Sequence, residues 1–459
     1  MAFGFFKKRE YADIVFKNGT IYTMDPDQPQ AEAVACKDGD ILAVGDEDDL
    51  ESVIGPHTEV IDLNGQVMFP GFIKQRSALA QEAFSNSCRL FPEWTGLGLE
   101  GLKDAVGQVL AHSKSNDPIF LYGGFRYQLN GLELQEIREM LDQLCSNRPL
   151  LILVMDCSLC LMNTLAMETI KNAAEEDGIR NISLDYIVSV IAPPDYESYQ
   201  NYVLKQGRSL SKRGFTTVYD CGSFDYPQAV YRSNLQELLL EDQMTQRYLS
   251  AYTLLESEDP AYVIHKLRQR QTECIELQEM IRCDGIHICV MPVTMASGDG
   301  QTTSETFLNF DAEELEKLCV DAADIGCDFV ITAHGQKALE LAARSIGAVR
   351  DSGYKKNAAV LSYDDVLSDK EIYEYVPEED IILWNSVDPD AASTVEQMLD
   401  RLTVDGASAI GMEQRIGSIR KGMAADFTVL SKDPYQGSLD AFRDMKIAFT
   451  VVSGRIIEL

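Results

Sequence analysis

His287 in "IHICVMPV" and His334 in "ITAHG" are the two of the chain's five histidines that fall on strand-like runs; His57 lies in a turn-rich β segment, and His112 and His265 lie in helix-like stretches. A neutral imidazole at a strand end can ligate a metal ion or move a proton. Asp220, which closes "FTTVYD", is a candidate carboxylate beside them, because barrel enzymes keep their chemistry at the C-terminal ends of strands. Activating water on a metal takes three protein ligands or more, and two strand histidines do not supply that number.

Each of these residues also has a plain structural reading. A lone strand histidine can be a satisfied core residue, and Asp220 can cap the turn at Gly222. Asp156 ends another strand-like run, and Asp364-Asp365 follow Tyr363, but neighbouring strand residues point to opposite faces. "MASGDGQTTSET", Met295 to Thr306, is rich in glycine and hydroxyl groups, as anion-binding loops are, yet contains no Lys or Arg. Cys157 and Cys160 have the Cys-x-x-Cys spacing of zinc and redox sites, but no second pair completes a zinc set, so both read as buried apolar residues.

The elements that must position these residues follow from the pattern of the chain. "ADIVFKNGTIYTM", "AEAVACKDGDILAVG" and "EVIDLNGQVMF" are short alternating strands joined at Asn18-Gly19, Asp38-Gly39 and Asn64-Gly65, where glycine supplies the positive φ of a tight turn. "ADFTVLS" and "KIAFTVVSGRIIEL" repeat that style at the other end. The spacing predicts one β-sandwich from residues 1–70 plus 405–459, with 71–404 inserted as a second domain. Within the insert, apolar runs begin at Pro118, Pro149, Phe215, Tyr248, Ile286, Asp328, Ala358 and Asp380 and alternate with helical patterns, as parallel strands covered on both faces require. After Asp311 an N-cap and capping box with Glu314, the apolar stripe Leu315, Leu318, Cys319 and Ala322, and Gly326 delimit one such helix.

Composition narrows the function classes. A formal charge of −33 disfavours binding to nucleic-acid phosphates. Hydrophobic residues at 45% and charged residues at 25% describe a globular chain, and no apolar run reaches membrane-spanning length. Eleven scattered cysteines suit a reducing cytoplasm, and "MAFGFFKKRE" is expected to be a frayed terminus that lacks a signal h-region.

These stretches together resemble the amidohydrolase superfamily, specifically amidohydrolase family 3 and its branch of N-substituted formamide deformylase-like proteins. "ADIVFKNGTIYTMD", "VIDLNGQVMFPGFI", "IGSIRKGMAADFTVLSKDP" and "TVVSGRIIE" carry the sandwich part of the likeness, and "CLMNTLAME", "KRGFTTVYDCGS" and "ITAHGQKALELA" carry the barrel part. The resemblance implies an α/β fold, a (β/α)8 TIM-like barrel with a β-sandwich built from both termini, and hydrolysis of non-peptide C–N bonds. It also implies ligand positions that this chain departs from. Arg76 and Ala78 stand where the family has His-x-His, no Lys lies on Ile286 to Met295, and Thr332 and Gln336 replace a His and an Asp. Ser362-Tyr363 replace Glu-His, Ser158 replaces a His ahead of Asn163, and Asp388 is displaced from the family's aspartate position. The stretch Ser386 to Val404 is too short for a complete last βα unit.

The resulting expectation is a barrel without a metal or other cofactor, whose pocket comprises Arg76, Asp220, His287, Thr332, His334, Tyr363 and Asp388. Such a protein would bind a small molecule or a partner: a second copy, or an active paralogue. The enzymatic alternative is metal-free C–N hydrolysis with Asp220 as base and His287 and His334 as polarising groups. Arg76 is expected at the former metal position, buried and paired with Asp220 or Asp388, because a buried guanidinium needs a carboxylate to offset its desolvation.

Overall fold

The structure is a computed structural model. It describes residues 10–87, 98–112, 117–124, 129, 132–154, 159–180, 182, 184–191, 196–275, 277, 280–294, 306–354, 359–363, 372–373, 375, 377–378 and 381–457.

Seven parallel strands form the central sheet: β1 (Phe72–Ser77), β2 (Phe215–Asp220), β3 (Arg247–Leu254), β4 (Ile281–Val290), β5 (Asp328–Ala333), β6 (Ala359–Tyr363) and β7 (Ile381–Leu383). Each pairs with its neighbours in chain order, so no strand crosses over within the sheet. The helices that follow are α1 (Leu79–Ser87), α2 (Tyr196–Ser211), α3 (Asp225–Leu240), α4 (Pro260–Glu273), α5 (Ala312–Asp324) and α6 (Gln336–Asp351). Their apolar stripes cover the outer face: Leu315, Leu318, Cys319 and Ala322 of α5 pack with Ile286, Ile288 and Ile331 of the sheet. Asp311 caps α5 by accepting from the Glu313 and Glu314 amides, whereas the Glu314 carboxylate meets the Ser257 hydroxyl at 3.4 Å, so only half of the expected capping box forms.

Two of the eight expected barrel strands belong elsewhere. Ile119–Tyr122 and Leu150–Leu153 pair with each other and, through the second, with Cys160–Met162 in a separate three-stranded sheet. That sheet has its own apolar cluster, which includes Leu102, Leu121, Ile137, Leu141 and Ile152. Asn163 secures it: its side chain accepts from the Leu150 and Ala166 amides and donates to the Cys145 and Arg148 carbonyls. The first strand of the large sheet is instead β1, in the stretch that holds Arg76.

Among the described residues, the large sheet does not close on itself through hydrogen bonds between β7 and β1. The helices α7 (Val395–Leu402) and α8 (Val404–Ala409) pack against β1 in that gap. Ala407, Ile410, Met412 and Ile416 join Ile73, Tyr219, Leu249 and Val330 in the inner core, so residues just beyond position 405 pack into the parallel sheet.

The chain ends share one sheet. A six-stranded sheet places Val67–Pro70 between Thr20–Tyr22 and Phe427–Leu430, and it faces a four-stranded sheet that contains Ile14–Lys17. Phe16, Met68, Phe427, Val429 and Val451 fill the space between the two, with Phe16 and Phe427 edge-to-face at 5.7 Å. At the hand-over to the barrel, a Cβ on Gly71 would lie 1.9 Å from the Thr216 hydroxyl, so only glycine passes there.

At the N-terminal end of the sheet, Arg247 of β3 reaches the β-sandwich. Its Nε and Nη2 donate to both oxygens of Asp426 at 2.5 and 3.2 Å, and Nη2 also donates to Ser453. Only 3% of each partner's side chain is exposed. Nearby, the Arg282 guanidinium bridges Asp284 and Asp328.

Candidate functional site

Strand alternation gives each sheet residue a face, and the apolar clusters show which. On β2, Val218 packs outward with Leu79, Ala80, Tyr231 and Tyr248, whereas Tyr219 and Cys221 pack inward with Ile73, Leu249 and Val330. On β4, Ile286, Ile288 and Val290 face the helices, leaving His287 and Cys289 to the inside. The inner residues at the C-terminal strand ends are therefore Cys221, His287, Cys289 and Thr332.

His287 is buried, with Nε2 3.0 Å from the Thr332 hydroxyl and 3.4 Å from the Cys289 sulfur. Burial first, and then the positive charge of Arg76, push its pKa down to about 4, against the opposing pull of a hydrogen bond to the Cys221 backbone. The ring is neutral near pH 7. The Cys221 carbonyl also accepts from the Thr253 hydroxyl at 3.3 Å. Burial pushes the Cys221 thiol up to about 12 and the Cys289 thiol up to about 11, and Arg76 opposes both shifts.

Arg76 thus acts on three inner residues. The cause is a register break: Lys74 pairs with Val218 and Ser77 with Asp220, so β1 spends an extra residue over that step and Arg76 falls on the inner side. Its side chain is nonetheless exposed. The expected buried guanidinium is corrected accordingly: the Arg76 side chain is exposed at the C-terminal end of β1.

Asp220 is corrected as well. It is fully buried, but on the outer face, where its Oδ2 accepts from the Ala80 amide at 2.9 Å and the Tyr248 hydroxyl at 3.0 Å. It serves as a remote cap for the first turn of α1, and the Ser223 hydroxyl accepts from the Gln81 amide beside it. Burial raises its pKa to about 6 despite these hydrogen bonds. Asp220 therefore cannot act as base alongside His287, because the sheet lies between them.

His334 leaves β5 half-buried, with its amide bonded to the Val290 carbonyl. Asp388 accepts from the Asp390 amide at 2.9 Å and caps the short turn Pro389–Ala391. Tyr363 ends β6 opposite Ala333; its side chain lies outside the described residues, as do Asp156, Cys157, Ser158, Asp364, Asp365 and residues 295–305. Cys221, Cys289 and Thr253 escaped the sequence reading, although Cys289 stands two residues from His287 and therefore shares its face.

Residues 375–458 match the model of the Amidohydrolase family. Over 96% of this chain and 97% of the relative, the sequence is 20% identical to an N-substituted formamide deformylase of Arthrobacter pascens. An uncharacterized metal-dependent hydrolase from Pyrococcus furiosus superposes with a TM-score of 0.52 at 18% identity, covering 92% of this chain and 99% of that one. Atrazine chlorohydrolase from Arthrobacter aurescens TC1, solved with zinc, gives 0.51 at 14% identity, covering 96% and 94%.

The inner residues do not fit a zinc ion of the kind that the last relative holds. A catalytic divalent ion needs three converging nitrogen, oxygen or thiolate ligands, and no such group of His, Cys, Asp or Glu side chains occurs among the described residues. The thiols are held protonated by burial, and a fixed guanidinium charge bears on all three candidate donors. A second cation there would meet repulsion from Arg76.

Proposed function

We propose that the chain, which resembles the amidohydrolase superfamily, keeps the C–N hydrolase scaffold but uses the barrel mouth to bind an anionic small molecule instead of hydrolysing one on a metal. The observation that carries this reading is the Arg76 charge, which bears on Cys221, His287 and Cys289 where the strand ends converge. A guanidinium is permanently charged and matches a carboxylate with two parallel N–H donors. In this reading the carboxylate docks on Arg76, and Thr253, Thr332 and the neutral His287 line the uncharged floor below it. No helix among the described residues is long and apolar enough to cross a membrane.

The test uses the dialysed protein with and without added zinc, an N-substituted formamide as substrate, and a panel of small carboxylates in a thermal-shift assay. The expected result is no zinc-dependent turnover, a carboxylate-dependent rise in melting temperature, and about tenfold weaker binding, roughly 1.4 kcal/mol, in Arg76→Met. Retention of about one zinc per chain that is required for formamide hydrolysis would overturn the reading.

One observation favours a second reading: Cys289 and His287 form a thiol–imidazole pair at 3.4 Å. That geometry suits metal-free attack by a thiolate on a C–N substrate. The pair rests neutral, with the thiol raised to about 11 and the imidazole lowered to about 4, which is why binding is placed first. Zinc-independent turnover lost in Cys289→Ser would favour this second reading.

A further inference from the structure

A pair of thiols lies on the helix-facing side of the same strand. Cys274 ends α4 and Cys283 lies near the start of β4, and their sulfurs are 2.9 Å apart although both cysteines are free. Both are 1% exposed and belong to the outer, helix-facing core, apart from the barrel mouth.

The surroundings favour a thiolate on Cys283. The Ser250 hydroxyl donates to its sulfur at 3.4 Å, and the charges of Arg232 and Arg270 both act on it. These guanidiniums are themselves buried, with 5% and 2% exposed. Arg232 Nη1 and Arg270 Nε have no hydrogen-bond partner among the described residues, so each has a donor to offer a new negative charge. Arg232 pairs with Glu273 at 3.4 Å and also feels the Asp225 charge, and Arg270 pairs with Asp225 at 2.8 Å, so each guanidinium has a carboxylate partner and keeps one further donor. Burial pushes the Cys283 thiol up, but the hydrogen bond from the Cys274 thiol, followed by the two guanidinium charges and the Ser250 hydroxyl, outweighs it and lowers the pKa below the usual thiol value. Access comes from a cavity of about 320 Å³ lined by both cysteines, Gln271, Thr272 and Ile275, the last of which is 63% exposed and marks a mouth at the surface.

We propose that Cys274 and Cys283 are a redox-responsive pair that a small peroxide converts to an intramolecular disulfide, tying the end of α4 to β4. The Cys283 thiolate attacks one peroxide oxygen, the O–O bond breaks, and hydroxide leaves to become water, giving a sulfenic acid. The Cys274 sulfur, losing its proton, then attacks the Cys283 sulfur and expels the second water. Two thiols and one hydrogen peroxide thus give one disulfide and two waters, the thiols losing the two electrons that the peroxide gains. A dithiol reductant reverses the change.

The experiment exposes the full chain to graded hydrogen peroxide, traps free thiols with iodoacetamide, and maps peptides by mass spectrometry with and without dithiothreitol. The expected result is a reducible crosslink between the peptides bearing residues 274 and 283, with the loss of two hydrogens, formed about tenfold faster than any other cysteine reacts. Cys274→Ser should leave a sulfenic acid on Cys283 that dimedone labels, and Cys283→Ser should leave Cys274 unreactive at the same dose. Oxidation that begins at another cysteine, or dimedone labelling of both residues without a crosslink in the parent protein, overturns the proposal. Far-UV circular dichroism of each variant confirms its fold, and the parent-protein map decides the question even where a variant fails to fold.

Discussion

The two ends of the parallel sheet treat charge in opposite ways. At the N-terminal end, Arg247 and Asp426 are buried together in a two-pronged ion pair, with Arg282, Asp284 and Asp328 clustered close by. At the C-terminal end, Arg76 stands exposed above a neutral His287, two protonated thiols and two threonines. A charge at the first end is committed to holding barrel and sandwich together. The charge at the second is carried by an exposed side chain. On the proposed function, stability and recognition would occupy separate ends, in the division that barrels with loops on one face permit.

Breaking the first end should cost most. Arg247→Met leaves the Asp426 carboxylate buried without its cation, and the expected loss is about 3–5 kcal/mol, read as a fall in the urea midpoint. The double variant Arg247→Met with Asp426→Leu should recover much of it, because no charge is then stranded. Equal losses in the single and double variants would show that packing at the junction, and not the ion pair, separates the two ends.

Asp220 gives the next effect, with a defined sign. Its folded pKa, about 6, lies above its unfolded value, so the neutral form is the one the fold favours. The associated stability is fully present below about pH 4 and is lost as pH rises through about 6. Asp220→Asn should flatten that part of the stability–pH curve. At pH 7 the variant should be as stable as the parent or more so, by on the order of 1–3 kcal/mol. An unchanged slope between pH 4 and pH 6 would mean that the carboxylate is better solvated than its position implies.

Arg76→Met should have the smallest effect on stability, within about 0.5 kcal/mol, because the side chain is exposed. Its signature is electrostatic: removing the nearby charge should raise the His287 pKa from about 4, followed through the imidazole NMR shifts. A midpoint drop as large as that of Arg247→Met would erase the distinction between the ends.

Much of the architecture was legible because it is local. The turn glycines, the stripe on α5 and the apolar parallel strands follow from spacing alone. What spacing cannot say is which sheet an apolar strand joins: Ile119–Tyr122 and Leu150–Leu153 look like barrel strands and form a sheet of their own. The site was legible in part. His287 was identifiable on its strand, but Asp220 looked inward-facing until the packing of Val218 and Tyr219 set the parity of β2. The inward turn of Arg76 depends on an irregular register between β1 and β2, which no hydrophobic period records.

The strand Val67–Pro70 carries a consequence for the chain's birth. One neighbour, Thr20–Tyr22, is made before it, but the other, Phe427–Leu430, emerges only after nearly the whole barrel has been translated. At cellular elongation rates that interval is on the order of tens of seconds. For that time the nascent sheet presents a row of unpaired amides and carbonyls beside Met68 and Phe69, a template for any other extended segment. A ribosome stalled within the barrel would therefore release a chain whose first domain-forming strands are made yet unfinished, and chaperones would meet this protein first at its amino-terminal end.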